Sequence, residues 1–207
     1  MTPPVIDLPD RLETQRLLLR PYTPADAPAY LEMCLRNKSH LLPYEQGNPA
    51  LDVATPEQAE ELMGLFADLW AARKAFFLGA WEKADGTFAA QMYIGVVKWE
   101  LPEFEVGYFV DQAKEGRGFV SESVQAALAL CFDRMGAHRL TLRCNETNMR
   151  SRRVAERAGF VLEGLKRETH RDILRPDGRF SGDYLYGLLA SEYYTQGNSP
   201  ATPVEST

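Results

Sequence analysis

Cysteine and histidine are scarce in this sequence, and their spacing suits neither a metal site nor a disulfide framework. Among 207 residues there are three of each. The cysteines are Cys34, Cys131 and Cys144, and the histidines are His40, His138 and His170. An odd number of cysteines without a C-x-x-C pair argues against disulfide scaffolds and zinc sites. We therefore expect reduced thiols and no bound metal.

Long apolar runs and an excess of positive charge are also missing. No stretch approaches the roughly 18 apolar residues that a membrane-spanning helix needs. The opening MTPPVIDLPD has neither the basic nor the apolar region of a secretory signal. With 23 basic and 29 acidic residues, the net charge of −6 disfavours direct nucleic-acid binding. These absences predict a cytoplasmic protein with no membrane or nucleic-acid partner, whose acidity aids solubility or attracts cationic substrates.

The first third of the chain carries one strand signal and two helix starts. TQRLLLRPY (14–22) predicts a strand. TPAD (23–26) and TPEQ (55–58) each predict a helix start, because threonine can act as N-cap, proline fits the first helical position and the last residue can complete a capping box. The second helix is expected to run towards Lys74 and to bury one face, formed by Leu62, Leu65, Phe66 and Leu69.

The remainder is rich in strand signals. Segments 76–83, 89–100 and 104–110 predict an antiparallel meander. A helix face follows at Val120, Val124, Ala127, Leu128, Cys131 and Met135, closed by Gly136. After it come a strand at 139–144, a helix at 148–159 and strands from 160 and over 182–190.

The predicted order is therefore β-α-α-β-β-β-α-β-α-β-β. This order indicates one α/β domain over residues 1–194, with a mixed, mostly antiparallel sheet flanked by helices. The tail, 195–207, lacks core residues and is expected to be disordered.

KEGRGFVSES (114–123) places two glycines between a strand and a helix, an arrangement that several folds use to hold a phosphate. A Walker loop requires G-x-x-x-x-G-K-[ST], which the residues after Gly116 do not supply. The dinucleotide fingerprint G-x-G-x-x-G fails at Ser121 and belongs to a parallel unit. On this segment alone, a plain strand-to-helix turn without a ligand explains the glycines equally well.

A third interpretation of the glycine segment rests on two motifs. AKEGRG (113–118) resembles the Q/R-x-x-G-x-G/A loop of the GNAT superfamily of acyl-CoA-dependent N-acyltransferases, although Ala113 replaces the usual Gln or Arg. NMRSRRVAERAGFVLEG (148–164) resembles the companion motif N-x-x-S-x-R-x-x-E-x-x-G-F-x-x-E-G. With GYF (107–109), the pattern is similar to that of the RimJ/RimL-like branch of ribosomal-protein N-terminal acetyltransferases.

The resemblance covers roughly residues 13–194. It implies the GNAT fold, acetyl-CoA as co-substrate without a metal, transfer of the acetyl group to a protein N-terminal amine, and a possible homodimer. Two alternatives remain: a small-amine acceptor, such as a polyamine or an aminoglycoside, and a domain that binds coenzyme A as a sensor without catalysis.

The resemblance also assigns residues to the coenzyme. The glycine loop would hold the pyrophosphate with Lys114, Glu115, Gly116, Arg117, Gly118, Phe119 and Val120. Backbone N–H groups at a helix N-terminus would supply the main contacts, and the two cations would either add charge or stay solvated. The backbone at Phe109 and Val110 would seat the thioester, and Asn148 and Ser151 would contact the coenzyme arm or only cap their helix.

Two residues are the catalytic candidates. Glu105, a carboxylate in an apolar strand, is the first choice for general base, ahead of Glu82 and Glu100; a surface ion pair is the alternative role. Ser151 is the candidate to assist the leaving thiolate, because Ala155 occupies the position where many family members carry a tyrosine. Five aromatic side chains are expected either to line the site or to pack in the core: Phe76, Phe77, Trp81, Tyr93 and Trp99. Three arginines are expected either to line the site or to lie on a solvated surface: Arg150, Arg152 and Arg153.

Overall fold

Helices cover both faces of a single sheet. The computed structural model describes residues 6–174 and 177–197. The strands in these ranges are β1 (Leu12–Glu13), β2 (Leu17–Pro21), β3 (Ala75–Glu82), β4 (Phe88–Lys98), β5 (Glu103–Val110), β6 (Arg139–Asn145), β7 (Val161–Arg171) and β8 (Phe180–Leu189). The α-helices are α1 (Ala27–Leu41), α2 (Pro56–Ala71), α3 (Phe119–Ala129), α4 (Met149–Arg157) and α5 (Ala190–Thr195).

The strands form one eight-stranded sheet in the order β1-β2-β3-β4-β5-β6-β8-β7. Neighbours pair antiparallel except β5 and β6, which run parallel across the connection through α3. The predicted α/β class and the predicted meander of β3, β4 and β5 are confirmed. The sequence patterns did not predict the short strand β1 or helix α5. Of the tail predicted to be disordered, residues 198–207 lie outside the described ranges.

The parallel pair separates part-way along its length. The register joins Glu103–Val106 of β5 to Arg139–Leu142 of β6 and stops there. On its other edge, β5 stays paired with β4 as far as Val110. The last four residues of β5, from Gly107 to Val110, therefore have an edge that no described strand of the sheet covers.

Side chains that alternate along β3 reach two different cores. Phe76 and Leu78 pack in the core beneath α3 and α4, whereas Ala75 and Phe77 pack in the core beneath α1 and α2. Because successive strand residues point to opposite faces, an almost wholly apolar strand such as β3 is the pattern of a sheet covered on both sides.

Both predicted helix starts are confirmed as capping boxes. The Asp26 carboxylate accepts a hydrogen bond from the Thr23 backbone N–H at 2.7 Å. At the second start, Thr55 Oγ1 accepts from the Gln58 N–H at 3.3 Å, and Gln58 Oε1 accepts from the Thr55 N–H at 3.1 Å. A short 3₁₀ turn (Pro24–Asp26) precedes α1, so the α-helix itself begins at Ala27.

The predicted apolar face of α2 is partly wrong. Leu62 and Phe66 are buried, but Leu65 is 49% exposed. The buried stripe is completed by Ala59 and Met63 instead. These positions repeat at intervals of three and four residues, which is the helical period, and Leu65 falls beside that stripe.

The predicted helix face that begins in α3 is confirmed at five of its positions, whose side chains are buried: Val124, Ala127, Leu128, Cys131 and Met135. The chain leaves regular α-helix earlier than expected, because Leu130–Arg134 forms a turn of π-helix. Gly136 ends this segment in a left-handed conformation with φ of +66°.

The corrected α2 face yields a matched pair of variants. Leu62→Ala should lower the free energy of unfolding by about 2–5 kcal/mol, because it empties a packed site. Leu65→Ala should change it by about 0.5 kcal/mol or less, because that side chain is half exposed. Urea denaturation of both variants measures the difference, and equal losses would contradict this packing.

Candidate active site

Two cavities meet where β5 and β6 separate. The loop cavity, of about 590 Å³, is lined by glycine-loop residues between 115 and 121 and by α4. The strand cavity, of about 460 Å³, is lined by the parting strands and by residues 44–49 of the α1–α2 connection. Six residues line both cavities and are called the shared wall: Tyr44, Glu45, Tyr108, Phe109, Asn148 and Ser151. Molecules held in the two cavities would meet there.

The glycine loop lines the loop cavity at the N-terminus of α3. Gly116 and Gly118 have φ of +72° and +80°, the left-handed region that glycine adopts without strain. Gly118 is the N-cap of α3, so the N–H groups of the first turn lack partners within the helix. A Cβ placed on Gly116 would meet no atom within 4 Å. The loop therefore leaves open space beside a helix N-terminus, where an anion is favoured.

Arg16, in the turn before β2, anchors this loop. Its Nη1 donates to the Arg117 carbonyl at 2.9 Å, and its Nη2 lies 2.7 Å from Oε2 of Glu122 in the first turn of α3. Thr14 Oγ1 also donates to Glu122, at 2.5 Å. Contacts from a distant part of the chain thus fix the loop against the start of α3.

The two cations of the loop turn away from the loop cavity. Lys114 Nζ contacts the Glu82 carboxylate and donates to Thr87 Oγ1 at 2.7 Å. Arg117 Nη2 lies 2.9 Å from Glu82 Oε2. The buried Glu82 is thus held in ion pairs at the far end of β3, and it lines neither cavity. Phe119 is a core residue, only 2% exposed.

Positive charge at the loop cavity comes from α4 instead. Arg150, Arg153 and Arg157 line it, and Arg150 also pairs with Glu115. Arg152 points elsewhere, pairing with Glu156 at 2.8 Å. Arg157, which the sequence pattern did not single out, lines the cavity in place of Arg152, because residues 150, 153 and 157 share one face of a helix.

Two hydroxyl groups meet on the shared wall. Ser151 Oγ donates to the Tyr108 hydroxyl at 3.2 Å, and that hydroxyl donates to the Ser151 carbonyl at 3.0 Å. Asn148 Oδ1 accepts a hydrogen bond from the Ser151 N–H at 3.1 Å. Asn148 therefore caps α4, as predicted, and also lines both cavities. Burial raises the pKa of the Tyr108 hydroxyl, and it raises the pKa of the nearby Cys144 thiol to about 11. Both groups are therefore protonated at neutral pH.

Glu45 is the carboxylate of the shared wall, and nothing in the sequence pattern marked it. It lies in the α1–α2 connection, and Asn48 Nδ2 donates to its Oε2 at 3.2 Å. Burial raises the pKa of Glu45 from about 4.5 to about 7, an effect that the Asn48 hydrogen bond opposes.

Other acidic groups line only the strand cavity. Glu105 Oε1 accepts from Arg143 Nε at 2.9 Å and lies 2.8 Å from Arg143 Nη2, and its side chain is 28% exposed. His170 Nε2 lies 2.8 Å from Asp183 Oδ2. Of the predicted aromatic lining, Phe77 and Tyr93 reach the strand cavity. Phe76 is core, Trp81 stacks under Arg20, and the Trp99 indole donates to a backbone carbonyl.

A family model described as an acetyltransferase (GNAT) domain matches residues 16–161. The chain belongs to the GNAT acetyltransferase family. The match includes the glycine loop and α4, the segments that line the loop cavity.

Curated relatives of this GNAT domain include enzymes that modify ribosomal proteins. The chain is 33% identical to the probable N-acetyltransferase YjcK of Bacillus subtilis and 30% identical to a ribosomal-protein-serine acetyltransferase of Escherichia coli, over 35% and 39% of its length. These matches span 40% and 48% of those relatives. A ribosomal-protein-alanine N-acetyltransferase of Escherichia coli is 25% identical over 90% of the chain and 94% of the relative.

Solved structures share the fold. RimL, a ribosomal alpha-N-protein acetyltransferase in complex with coenzyme A, superimposes with a TM-score of 0.75 at 21% identity, over 85% of this chain and 95% of that one. RimJ of Mycobacterium smegmatis, in complex with a coenzyme A disulfide, gives a TM-score of 0.72 at 23% identity, over 87% and 89%. The predicted GNAT fold is confirmed.

Most residues that the resemblance assigned to the coenzyme line the loop cavity. They are Phe109, Val110, Glu115, Gly116, Gly118, Val120, Asn148 and Ser151. Lys114, Arg117 and Phe119 do not line it. Their roles stay predictions.

Two classes of feature are missing from the part of the chain that the structure describes. Within residues 6–174 and 177–197, no three His, Cys, Asp or Glu side chains come together as metal ligands. In the same ranges, no helix combines the length and apolar character needed to cross a membrane.

Proposed function

We propose that this GNAT domain transfers an acetyl group from acetyl-CoA to the N-terminal amine of a protein, as the names of its ribosomal-protein relatives suggest. The supporting observation is the pair of cavities that meet at one wall. A donor in the loop cavity and an acceptor in the strand cavity would touch at Ser151 and Tyr108. Such an arrangement suits direct transfer in a ternary complex, since both substrates must be present together.

The loop cavity fits coenzyme A. In the proposed complex, backbone N–H groups between Lys114 and Val120 hold the pyrophosphate, aided by the dipole of α3. Arg150, Arg153 and Arg157 supply the positive charge that the phosphates need. This charge compensates for the loop cations engaged by Glu82.

The free edge of β5 fits the thioester end. No strand among the described residues pairs with Gly107–Val110 on the β6 side, so the backbone groups on that edge can bind a ligand. In the proposal, a backbone N–H near Phe109 and Val110 polarises the acetyl carbonyl. Ser151 orients the sulfur from the opposite side, with its hydroxyl held by Tyr108.

The strand cavity fits a cationic chain terminus. Glu105 is paired with Arg143, so Glu45 and Asp183 are the carboxylates of this cavity that favour a positively charged ligand. A protein α-amine has a pKa near 7.7–8.0 and a lysine amine one near 10.4, a gap worth about 3 kcal/mol. An α-amine therefore needs only a weak base to become the neutral nucleophile.

The finer details stay predictions. A polyamine or aminoglycoside acceptor would meet the same carboxylates, and a coenzyme A sensor would use the same loop cavity. A homodimer and a cytoplasmic location rest only on family resemblance and sequence composition.

An acceptor panel tests the proposal. Thiol release from acetyl-CoA is measured with peptides that begin with Ser, Ala or Met, and with spermidine and kanamycin. We expect turnover of Ser- or Ala-starting peptides and none when their N-terminus is blocked. Turnover of spermidine or kanamycin alone would contradict the N-terminal assignment, and coenzyme binding without any turnover would favour the sensor.

Two glycine variants test the coenzyme site. Gly116→Ala should weaken coenzyme A binding at least about tenfold, because it strains a left-handed residue and puts a methyl group where the phosphate would lie. Gly136→Ala is the matched control: its φ of +66° and open surroundings impose a similar strain far from the loop. Isothermal titration calorimetry should find its Kd unchanged; equal Kd values for both variants would remove the loop from the site.

A further inference from the structure

The shared wall contains one carboxylate, Glu45. The proposed transfer joins an amine in the strand cavity to a thioester whose sulfur lies in the loop cavity, so the group that takes the amine proton should reach both. Glu45 lines both cavities together with Ser151 and Tyr108. Glu105 and the His170–Asp183 pair line the strand cavity alone.

The α1–α2 connection holds Glu45 in place from two sides. The Glu45 N–H donates to the Leu41 carbonyl at 2.8 Å, which continues the end of α1. The neighbouring Gln46 Nε2 donates to the Arg171 carbonyl at the end of β7, at 3.0 Å. The connection is thereby attached to the far edge of the sheet.

The charge environment of Glu45 suits a base that works near neutral pH. Its side-chain partner is the neutral Asn48, whereas Glu105 is paired with Arg143 and so has a competing cation. The ionisable side chains that line the two cavities around Glu45 are His40, Tyr44, Tyr93, Glu105, Tyr108, Glu115, Arg143, Cys144, Arg150, Arg153, Arg157, His170 and Asp183. Within the described residues, none of them forms an ion pair with Glu45. Burial raises its pKa to about 7.

We propose that Glu45, rather than Glu105, is the general base of the acetyl transfer. The inference rests on the proposed function, because it needs an amine acceptor in the strand cavity. The amine nitrogen attacks the carbonyl carbon of acetyl-CoA, forming the C–N bond, and the C–S bond breaks. One N–H proton passes to the Glu45 carboxylate, the departing thiolate takes a proton from water, and Glu45 then releases its proton to water. The sum is amine plus thioester giving amide plus thiol.

Glu45→Gln tests the assignment with the amine that the wild type acetylates best in the acceptor panel. At pH 8 we expect kcat to fall about 100-fold or more, the usual contribution of a general base, with the Kd for coenzyme A unchanged. Glu61→Gln, on the exposed side of α2, is the matched control and should retain wild-type kcat.

The pH profile separates catalysis by Glu45 from a structural role. The ratio of wild-type to Glu45→Gln kcat should rise with pH up to about 7 and then level off, because only ionised Glu45 can accept a proton. Ionisation of the amine itself affects both proteins and cancels in the ratio. A ratio that does not change with pH would overturn the proposal. So would the same pH-dependent ratio in His170→Gln with none in Glu45→Gln, because the base would then be His170.

Thermal unfolding without substrate supplies a test that needs no turnover. A carboxyl whose pKa is raised by burial from about 4.5 to about 7 destabilises the fold progressively as pH rises between these two values, because the unfolded chain ionises the group more readily than the folded protein does; above about 7 the full loss is present. Glu45→Gln should therefore raise the Tm more at pH 8 than at pH 5. An equal effect at both values overturns the assignment of Glu45, even if the wild type acetylates peptides. A wild type that binds coenzyme A but acetylates no amine overturns the proposed function and this inference with it, whatever the Tm shows.

Discussion

The whole site depends on the separation of two parallel strands. β5 and β6 share hydrogen bonds only as far as Val106 and Leu142, and their diverging ends open the sheet. Buried backbone groups require partners, so the free edge of β5 is costly unless water or a ligand pairs with it. The same separation creates the shared wall, because it lets Tyr108 on β5 meet Ser151 on α4. Donor and acceptor cavities are thus consequences of one interruption in the sheet.

Charged side chains are distributed differently in the loop cavity and the strand cavity. The cations of the glycine loop neutralise the buried Glu82, which leaves the loop cavity to backbone N–H groups and the arginines of α4. Arg143 neutralises Glu105 in the strand cavity. Glu45 has no such partner among the described residues. Burial raises its pKa to about 7, which disfavours folding increasingly as pH rises from about 4.5 to about 7 and suits the group to accept a proton.

Sequence patterns predicted the parts of this fold that depend on local interactions. The capping boxes at Thr23 and Thr55 form between residues three apart, so the motif contains nearly all the information. The strand, glycine-loop and helix order around Gly116, and the motif that begins at Asn148, were sufficient to predict the GNAT fold. The α2 face failed at Leu65 because periodicity locates a stripe but not its centre.

The missed residues depend on contacts between distant segments. From the sequence, Lys114 and Arg117 could contact a phosphate or stay solvated, but β3 brings Glu82 to both of them. From the sequence, Glu105 could be a general base or part of an ion pair, and β6 places Arg143 beside it. Glu45 stands in a polar connection with no periodic pattern, and only the folded chain places it between the two cavities. Side-chain roles at this site are therefore set by tertiary structure, whereas the backbone cradle is encoded locally.

A crystal structure with a bisubstrate ligand would show whether donor and acceptor meet at the shared wall. The ligand is coenzyme A joined through an acetyl bridge to the α-amine of a short Ala-starting peptide. We expect pyrophosphate oxygens within hydrogen-bond distance of backbone N–H groups at 115–120, the acetyl bridge at the shared wall beside Glu45 and Ser151, and the peptide in the strand cavity. A peptide that leaves through the loop cavity, or an acetyl bridge remote from the shared wall, would contradict it.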